Sequence, residues 1–225
     1  MARRRAVLFD VGGPIDLETA LEREADRAIR EAFGVDGETY AAACRVAVES
    51  FAPDAYRAIV WQLAAGDPAR AAPAWEALRG ALAADPPPLE PRPGIAALLA
   101  DLDRRGVALG LVANQPAGAL DRLRAAGLAD AFRHFAVSGT TGLRKPDPRA
   151  FLAACAALDV PPAGCVMVGD RIDNDIAPAR ALGMAAIRLR GGRHAGQRPR
   201  TWLEVPDRDV DDVAGLAAAL DDLLG

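Results

Sequence analysis

Five short apolar segments, with helical patterns between them, constrain the fold of this chain more than any other feature. The apolar segments span residues 5–11, 107–113, 134–138, 165–169 and 184–189, and the helical patterns between them span 95–105, 117–126, 149–158 and 175–182. Strands that are apolar on both faces and alternate with helices are typical of a parallel sheet covered by helices on both sides. The sequence therefore predicts an α/β fold.

The stretch from residue 16 to residue 91 breaks this alternation. It has no convincing strand pattern and a strongly helical composition. It holds six of the eleven aromatic residues, namely Phe33, Tyr40, Phe51, Tyr56, Trp61 and Trp75. A proline-rich segment at 85–93, which favours a stiff return linker, closes it. We expect an inserted helical module in which most of these aromatics pack a small core of its own.

Composition excludes several classes of function. The net charge is −4 and the pI is about 5.3, so the chain lacks the excess of basic residues that is typical of proteins that bind nucleic acid or an anionic membrane. Two histidines are too few for a histidine-rich metal site. Three widely separated cysteines indicate buried thiols in a reducing compartment. The N-terminal apolar stretch is too short for a signal peptide or a membrane span, so a cytoplasmic protein is expected.

Nearly all basic residues of this chain are arginines, and Lys145 is the only lysine among the 27. It lies just before the proline-punctuated turn at 146–148. A lysine is a flexible point charge that can sit between a phosphoryl oxygen and a carboxylate, whereas arginine is a planar fork. Taken alone, the single lysine is equally consistent with chance.

Polar residues follow the predicted strands where ligands bind in an open parallel sheet, at the carboxyl ends. Asp10 follows the first strand and Asn114 the second. The fourth strand ends in three carboxylates within six residues, which are Asp170, Asp173 and Asp175. Such crowding is costly unless a cation neutralises it. Asp10, Asp170 and Asp175, together with the lysine, would suit a hard, oxygen-seeking ion such as Mg²⁺.

This order of strand ends, with a helical insert after the first, resembles the helical-cap branch of the haloacid dehalogenase superfamily over nearly the whole chain. The specific segments are 168–176, with 181–184 after it, and 144–148 with Phe151 following. The resemblance implies a Rossmann-like parallel sheet of about five strands with helices on both faces, plus an inserted all-helical cap domain. Residues 1–15 and 92–225 would form the catalytic core, and residues 16–91 the cap.

The resemblance also implies roles for individual residues. Asp10 would be the nucleophile that forms an aspartyl-phosphate, and Lys145 would steady it and the phosphoryl group. The implied Mg²⁺ ligands are Asp10, Asp170, Asp175 and the backbone carbonyl of Gly12. The implied substrate-binding residues are Gly13, Ala113 and Asn114, although Asn114 is also a common turn residue.

Two positions depart from the family pattern. Phosphatases of this type usually carry a second aspartate two residues after the nucleophile, as general acid and base, but this chain has Gly12. General acid–base help is typically worth about 10²–10⁴ in rate. Asp16 is the nearest substitute carboxylate. The second segment normally offers a serine or threonine hydroxyl, and here it has Ala113.

The sequence favours a Mg²⁺-dependent phosphatase acting on a small phosphorylated metabolite, as a monomer or homodimer, without nucleic-acid or membrane partners. One alternative is a catalytically weak or inactive member that binds a phosphorylated ligand or a protein. Another is a 2-haloacid dehalogenase, but those enzymes use no metal, and the crowded carboxylates argue against it. A phosphonate-cleaving activity would need a Schiff-base lysine in the insert, which contains none.

Overall fold

The computed structural model describes residues 4–83 and 87–225. The first three residues and residues 85 and 86 of the predicted return linker lie outside this description. The six strands are β1 Ala6–Phe9, β2 Ala108–Ala113, β3 His134–Val137, β4 Cys165–Gly169, β5 Ala185–Leu189 and β6 Arg208–Val210. They form one sheet in the order β3-β2-β1-β4-β5-β6, and every neighbouring pair is parallel.

The sheet has one strand more than the five apolar segments predicted. β6 is a three-residue edge strand whose Arg208 and Asp209 are exposed. Its polar sequence gives no apolar signal, and polar residues are common on edge strands that must not recruit another chain. Asp212, which follows this strand, begins the C-terminal helix, because its Oδ1 accepts a hydrogen bond from the Gly215 N–H at 2.7 Å.

The helices follow the predicted pattern between the strands. Their bounds are α1 Thr19–Phe33, α2 Gly37–Glu49, α3 Ala55–Leu63, α4 Pro68–Ala83, α5 Ile95–Arg104, α6 Ala119–Ala125, α7 Ser138–Thr141, α8 Pro148–Ala157, α9 Ala177–Ala181 and α10 Val213–Leu224. A single π-helical turn, Ile172–Ile176, precedes α9. No helix in the described residues is long and apolar enough to cross a membrane.

Alternate residues of each strand bury against opposite faces of the sheet, as a period of two requires. In β1, Val7 and Phe9 pack into the core formed with α5 and α10, whereas Ala6 and Leu8 pack into the core formed with α8 and α9. A layer of helices is needed on each face of the sheet, because all four side chains of β1 are fully buried. Helices therefore cover both faces, and the α/β prediction is confirmed.

The chain divides into two compact units. The first comprises the residues up to Leu17, Pro88–Ala195 and Pro199–Gly225, and the second comprises Glu18–Pro87 and Gly196–Arg198. The second unit contains α1 to α4, and a separate core holds its helices together. The aromatics Phe33, Tyr40, Tyr56 and Trp75 belong to this core or pack against it.

None of the three cysteines, all of which lie in the described residues, forms a disulfide. Cys155 and Cys165 are buried as expected, with their sulfur atoms 3.6 Å apart, whereas Cys44 is only half-buried.

Candidate active site

The carboxyl ends of β1 and β4 are neighbours, since Phe9 lies beside Val168 in the sheet and the Asp10 N–H donates to the Val168 carbonyl at 2.9 Å. This pairing brings together the carboxylates that follow each strand. One carboxylate oxygen from each of Asp10, Asp170 and Asp175 lies within 4.8 Å of the others, and all three residues are buried. The three carboxylates that the sequence assigned to a metal thus lie in one cluster.

Lys145 lies between two of these carboxylates. Its Nζ is 2.9 Å from Oδ2 of Asp10 and 2.6 Å from Oδ1 of Asp175, and its side chain is 1% exposed. Burial alone would lower the pKa of the Lys145 ammonium, but the two adjacent carboxylates outweigh burial and raise that pKa. The lysine is therefore a fixed cation inside the acidic cluster, not a solvated surface charge.

Asn114 holds the backbone of this lysine. Its side-chain nitrogen donates to the Lys145 carbonyl at 2.9 Å, and its side-chain oxygen accepts from the Lys145 N–H at 2.8 Å. The amide at the end of β2 thus fixes the loop that carries the ammonium. The sequence reasoning gave Asn114 a substrate contact, and the structure adds this role in positioning Lys145.

Gly169, the last residue of β4, has no space beside it for a side chain. A Cβ on Gly169 would lie 2.3 Å from the Cβ of Asp175, so Asp175 occupies the space that a side chain would need. The π-helical turn then brings Asp175 back toward the strand, where its Oδ2 accepts a hydrogen bond from the Arg171 N–H at 3.0 Å. The spacing of Asp170 and Asp175 follows from this turn.

The cluster carries more negative charge than the lysine neutralises. Burial raises the pKa of Asp175 to about 6 against the opposing effect of Lys145. Burial, then the carboxylates of Asp175 and Asp10, raise the pKa of Asp170 well above its usual range. A cation bound beside these groups would relieve the repulsion, so the electrostatics of the cluster fit a metal ion.

Asp173, the remaining carboxylate of the segment after β4, does not belong to this cluster. It forms an ion pair with Arg171, with the Nη2 and Oδ2 atoms 2.6 Å apart. Removing its charge would leave the three clustered carboxylates in place, which makes Asp173 a useful control.

The turn after Asp10 depends on glycine at one position. Gly13 has a φ of 82°, and a Cβ there would lie 2.8 Å from the Cβ of Asp170. Its carbonyl accepts a hydrogen bond from the Arg92 Nε at 2.8 Å. Asp10 itself is fixed at this turn, because its Oδ1 accepts from the Val11 N–H at 2.7 Å. Gly13 therefore lets the loop pack directly on Asp170.

Asp16 serves the loop and not the acidic cluster. Its Oδ2 pairs with the Arg122 Nη2 at 2.7 Å, its Oδ1 accepts from the Glu90 N–H at 2.9 Å, and it is fully buried. Both oxygens thus have structural partners. The expectation that Asp16 is the nearest substitute for the missing acid is not supported by these contacts.

Ala113 ends β2 and is 1% exposed. Its methyl group offers no hydrogen bond, so any contribution of this position to an anion comes from the backbone alone.

Three arginines near the site escaped the sequence reasoning. Arg92 supports Gly13, Arg122 pairs with Asp16, and the fully buried Arg188 in β5 donates from Nε to the Asp170 carbonyl at 3.3 Å. The sequence does contain an indication for Arg188, because an arginine inside an apolar strand needs buried acceptors. It contains none for Arg92 and Arg122, since their partners are distant in sequence.

The donor set of the cluster fits Mg²⁺. Carboxylate oxygens are the protein ligands this ion prefers, and a second anionic oxygen from a phosphate commonly completes its shell. Asp10, Asp170 and Asp175 supply three such groups, and they border on a turn whose backbone carbonyls are also oxygen donors.

Known proteins are similar in sequence to about half of this chain. A glyceraldehyde 3-phosphate phosphatase of Methanopyrus kandleri is 35% identical over 124 residues, which are 55% of this chain and 53% of that protein. A phosphoserine phosphatase of Thermus thermophilus is 38% identical over 122 residues, which are 54% of this chain and 47% of that protein. The chain spans about half the length of these curated relatives.

A solved structure extends the likeness of the fold to nearly the whole chain. The haloacid dehalogenase-type phosphatase from Thermococcus onnurineus matches with a TM-score of 0.62 and 21% identity, covering 96% of this chain and 97% of that one. At this identity the likeness shows the fold alone.

The model of one family, described as a haloacid dehalogenase-like hydrolase, matches residues 4–183. This span includes β1 to β4 and all the clustered carboxylates, so the chain belongs to the haloacid dehalogenase-like hydrolase family.

Proposed function

We propose that this chain is a Mg²⁺-dependent phosphatase that acts on a small phosphorylated metabolite through an aspartyl-phosphate on Asp10. The observation that carries the proposal is the buried cluster in which Lys145 bridges Asp10 and Asp175, with Asp170 beside them. The names of the two curated relatives, both phosphatases of small phosphorylated molecules, support the same class of substrate.

Asp10 is suited to the role of nucleophile. Its Oδ1 is held by the Val11 N–H and its Oδ2 by the Lys145 ammonium, so the carboxylate has a single orientation. A carboxylate held in this way can present an oxygen to phosphorus. The same ammonium can attract the phosphoryl oxygens, which are negatively charged throughout the transfer.

The residues that would hold Mg²⁺ are Asp10, Asp170 and Asp175, with the Gly12 carbonyl as the fourth protein ligand. When bound, the ion would offset the negative charge shared by the phosphoryl group and the carboxylates. Gly13, Ala113 and Asn114 would border the phosphoryl group, with Asn114 acting chiefly through Lys145. The second unit would serve as the helical cap that selects the substrate.

The first test is hydrolysis of p-nitrophenyl phosphate by purified protein with and without Mg²⁺. We expect turnover only with Mg²⁺, and its loss in Asp10→Asn and Asp170→Asn. Asp173→Asn is the matched control, since it removes a carboxylate from the same loop but outside the cluster. Equal activity in Asp10→Asn and in the wild type would contradict the proposal.

Gly12 and Ala113 favour a second candidate, a member of the family that binds a phosphorylated ligand with little or no turnover. Orthovanadate, a phosphate mimic, separates the two functions. Mg²⁺-dependent vanadate binding without hydrolysis of any phosphate ester would favour the binding protein. A cytoplasmic location stays a prediction from the sequence, as does a monomeric or homodimeric state.

A further inference from the structure

The position two residues after the nucleophile has no side chain, and the neighbouring groups do not replace it. Gly12 can neither donate a proton to a leaving group nor accept one from water. The carboxylate nearest in sequence, Asp16, is fully buried and has both oxygens occupied by Arg122 and by the Glu90 N–H. Because both oxygens of Asp16 accept from structural partners, neither is directed at a leaving group or a water beside Asp10.

The other titratable groups near this edge of the sheet also have different roles. Asp173 is paired with Arg171, and Lys145 is held between two carboxylates. Burial, and then the nearby Arg171, lower the pKa of His194 to about 3, so this imidazole is uncharged at neutral pH and is not an acid that protonates a leaving group. These groups all belong to the described part of the first unit.

The second histidine lies at the wrong end of the sheet. His134 begins β3 and pairs with Gly110, whereas the site lies beyond the far end of this strand at Val137. Three residues of extended chain correspond to about 10 Å. His134 is therefore too distant to protonate a group bound beside Asp10.

On the basis of the proposed function, we propose that the substrates are phosphates whose leaving group departs as a stable anion, namely acyl phosphates and aryl phosphates. In the first step an Asp10 oxygen bonds to phosphorus and the bond from phosphorus to the leaving oxygen breaks. The electron pair stays on that oxygen, which leaves as a carboxylate or an aryl oxide without a proton. An alkyl oxide is a far stronger base and needs the acid that Gly12 does not supply.

The second step regenerates the enzyme. A water oxygen bonds to phosphorus, the bond to Asp10 breaks, and its electron pair returns to the carboxylate. The water proton passes to bulk water, because no carboxylate at position 12 receives it. Breakdown of the aspartyl-phosphate is then slow relative to its formation. A pre-steady-state burst of about one nitrophenolate per enzyme is expected with p-nitrophenyl phosphate.

The test measures kcat/KM for a series of substituted phenyl phosphates, acetyl phosphate and an alkyl phosphate. This ratio reports the steps up to transfer of the phosphoryl group, so slow breakdown of the intermediate does not mask the leaving group. For the wild type we expect log kcat/KM to fall steeply as the basicity of the leaving group rises. Gly12→Asp should flatten this dependence and raise alkyl-phosphate kcat/KM by about 10²-fold, the lower end of general acid catalysis.

The substitution is compatible with the backbone, because the positive φ of the glycine pair belongs to Gly13 and not to Gly12. Gly12→Asn is the matched control. It adds a side chain of the same size that carries no acidic proton, so its dependence on leaving-group basicity should stay steep. A shallow dependence in Gly12→Asn would overturn the argument from proton donation.

Two further results would overturn the proposal while leaving the proposed function intact. One is a wild-type kcat/KM for the alkyl phosphate within about ten-fold of that for p-nitrophenyl phosphate. The other is a selective loss of alkyl-phosphate turnover in Asp16→Asn, which would make Asp16 the acid. The proposed function itself would fail if neither acetyl phosphate nor p-nitrophenyl phosphate were hydrolysed in the presence of Mg²⁺.

Discussion

The loops that follow β4 and β1 lie side by side in the sheet, and they differ in how tightly their functional side chains are tied to packing. After β4, Asp175 fills the space beside Gly169 and accepts from the Arg171 N–H. After β1, Asp10 is just as firmly held, but the next position of chemical interest, Gly12, has no side chain at all.

The two loops thus contribute different groups to one site. One set of residues forms the buried charged cluster, and position 12 is where a proton-transfer side chain would stand. Lys145 offsets part of the negative charge in a buried cluster, so removing the lysine leaves uncompensated carboxylates and destabilises the fold. Position 12 has no side chain, so it takes no part in this charge balance. The first set of residues can therefore be tested by stability, and the second only by kinetics.

The largest effect is expected when the cation is removed from the cluster. Lys145→Met leaves Asp10 and Asp175 buried without their common partner. Breaking a buried ion pair on one side typically costs about 3–5 kcal/mol. For a chain of this size, each kcal/mol lowers the melting temperature by roughly 2–4 °C. We therefore expect a melting temperature about 6–20 °C below that of the wild type, measured by calorimetry without Mg²⁺.

Lys145→Arg is the control for this comparison. It keeps the positive charge, so most of the stability should remain, but its wide fork does not fit between two carboxylates that meet a single Nζ at 2.6 and 2.9 Å. Activity should therefore fall sharply in a folded variant. If Lys145→Met melted at the wild-type temperature, the cluster would not depend on the lysine for its charge balance.

Mg²⁺ should produce the next largest effect, because it takes up the negative charge that Lys145 leaves unneutralised. At a Mg²⁺ concentration of 100 times Kd, linkage adds about 2.7 kcal/mol of stability. Asp170→Asn should lose this response, and without Mg²⁺ it should melt at or above the wild-type temperature, since burial and two neighbouring carboxylates oppose the ionised Asp170. Asp173→Asn should keep the response. A wild-type melting curve that ignores Mg²⁺ would contradict the metal site.

The same cluster gives the Mg²⁺ response a pH dependence. The pKa of Asp175 is raised from 3.8 to about 6 in the folded protein. A carboxyl with a raised pKa contributes stability below its unfolded pKa and loses it as the pH rises through the folded pKa. Without Mg²⁺, this contribution therefore falls between about pH 4 and pH 6. Only ionised carboxylates bind Mg²⁺ well, so the Mg²⁺-induced rise in melting temperature should be larger at about pH 8 than at about pH 5.

The part of the molecule that sequence could predict is the part governed by local patterns. The bounds of β4, Cys165–Gly169, agree with the predicted ones, because a short apolar run is a local signal. β6 was missed because its residues are polar and exposed. The division of the chain into two units is described by the structure, whereas the role of the second unit as a cap stays a prediction.

For the site, the sequence predicted which carboxylates cluster, because the ends of neighbouring parallel strands must meet. It did not predict the partners of those groups. Asp16 is the nearest substitute carboxylate in the sequence, but its side chain pairs with Arg122, which is 106 positions away in the sequence. Such a contact depends on how helices dock on the sheet, and neither residue shows it in its local pattern.

A smaller effect should distinguish the two glycines of the β1 loop. Gly13→Ala places a side chain at a φ of 82°, 2.8 Å from the Cβ of Asp170, whereas Gly12 is outside the positive-φ region. We expect Gly13→Ala to cost about 2 kcal/mol or more and to weaken the Mg²⁺ response, because the loop packs on a metal-site residue. Gly12→Ala should cost less. Equal losses of stability, measured by urea unfolding, would show that the strain is not specific to Gly13.

The smallest effect is expected at the end of β2, where only a hydrogen-bond donor is missing. Ala113→Ser adds a hydroxyl at the position where the family usually offers one to the phosphoryl group. A net hydrogen bond is worth about 0.5–1.5 kcal/mol, so kcat/KM for p-nitrophenyl phosphate should rise by about two- to ten-fold. The hydroxyl enters a buried site, so the same variant should be slightly less stable without a phosphate ligand.

Ala113→Cys is the control, because a thiol is a weak donor of similar shape and should give little gain. An unchanged kcat/KM in Ala113→Ser, with the stability loss present, would mean that the side chain at 113 does not face the phosphoryl group, and that the β2 contribution to binding is made by the backbone alone.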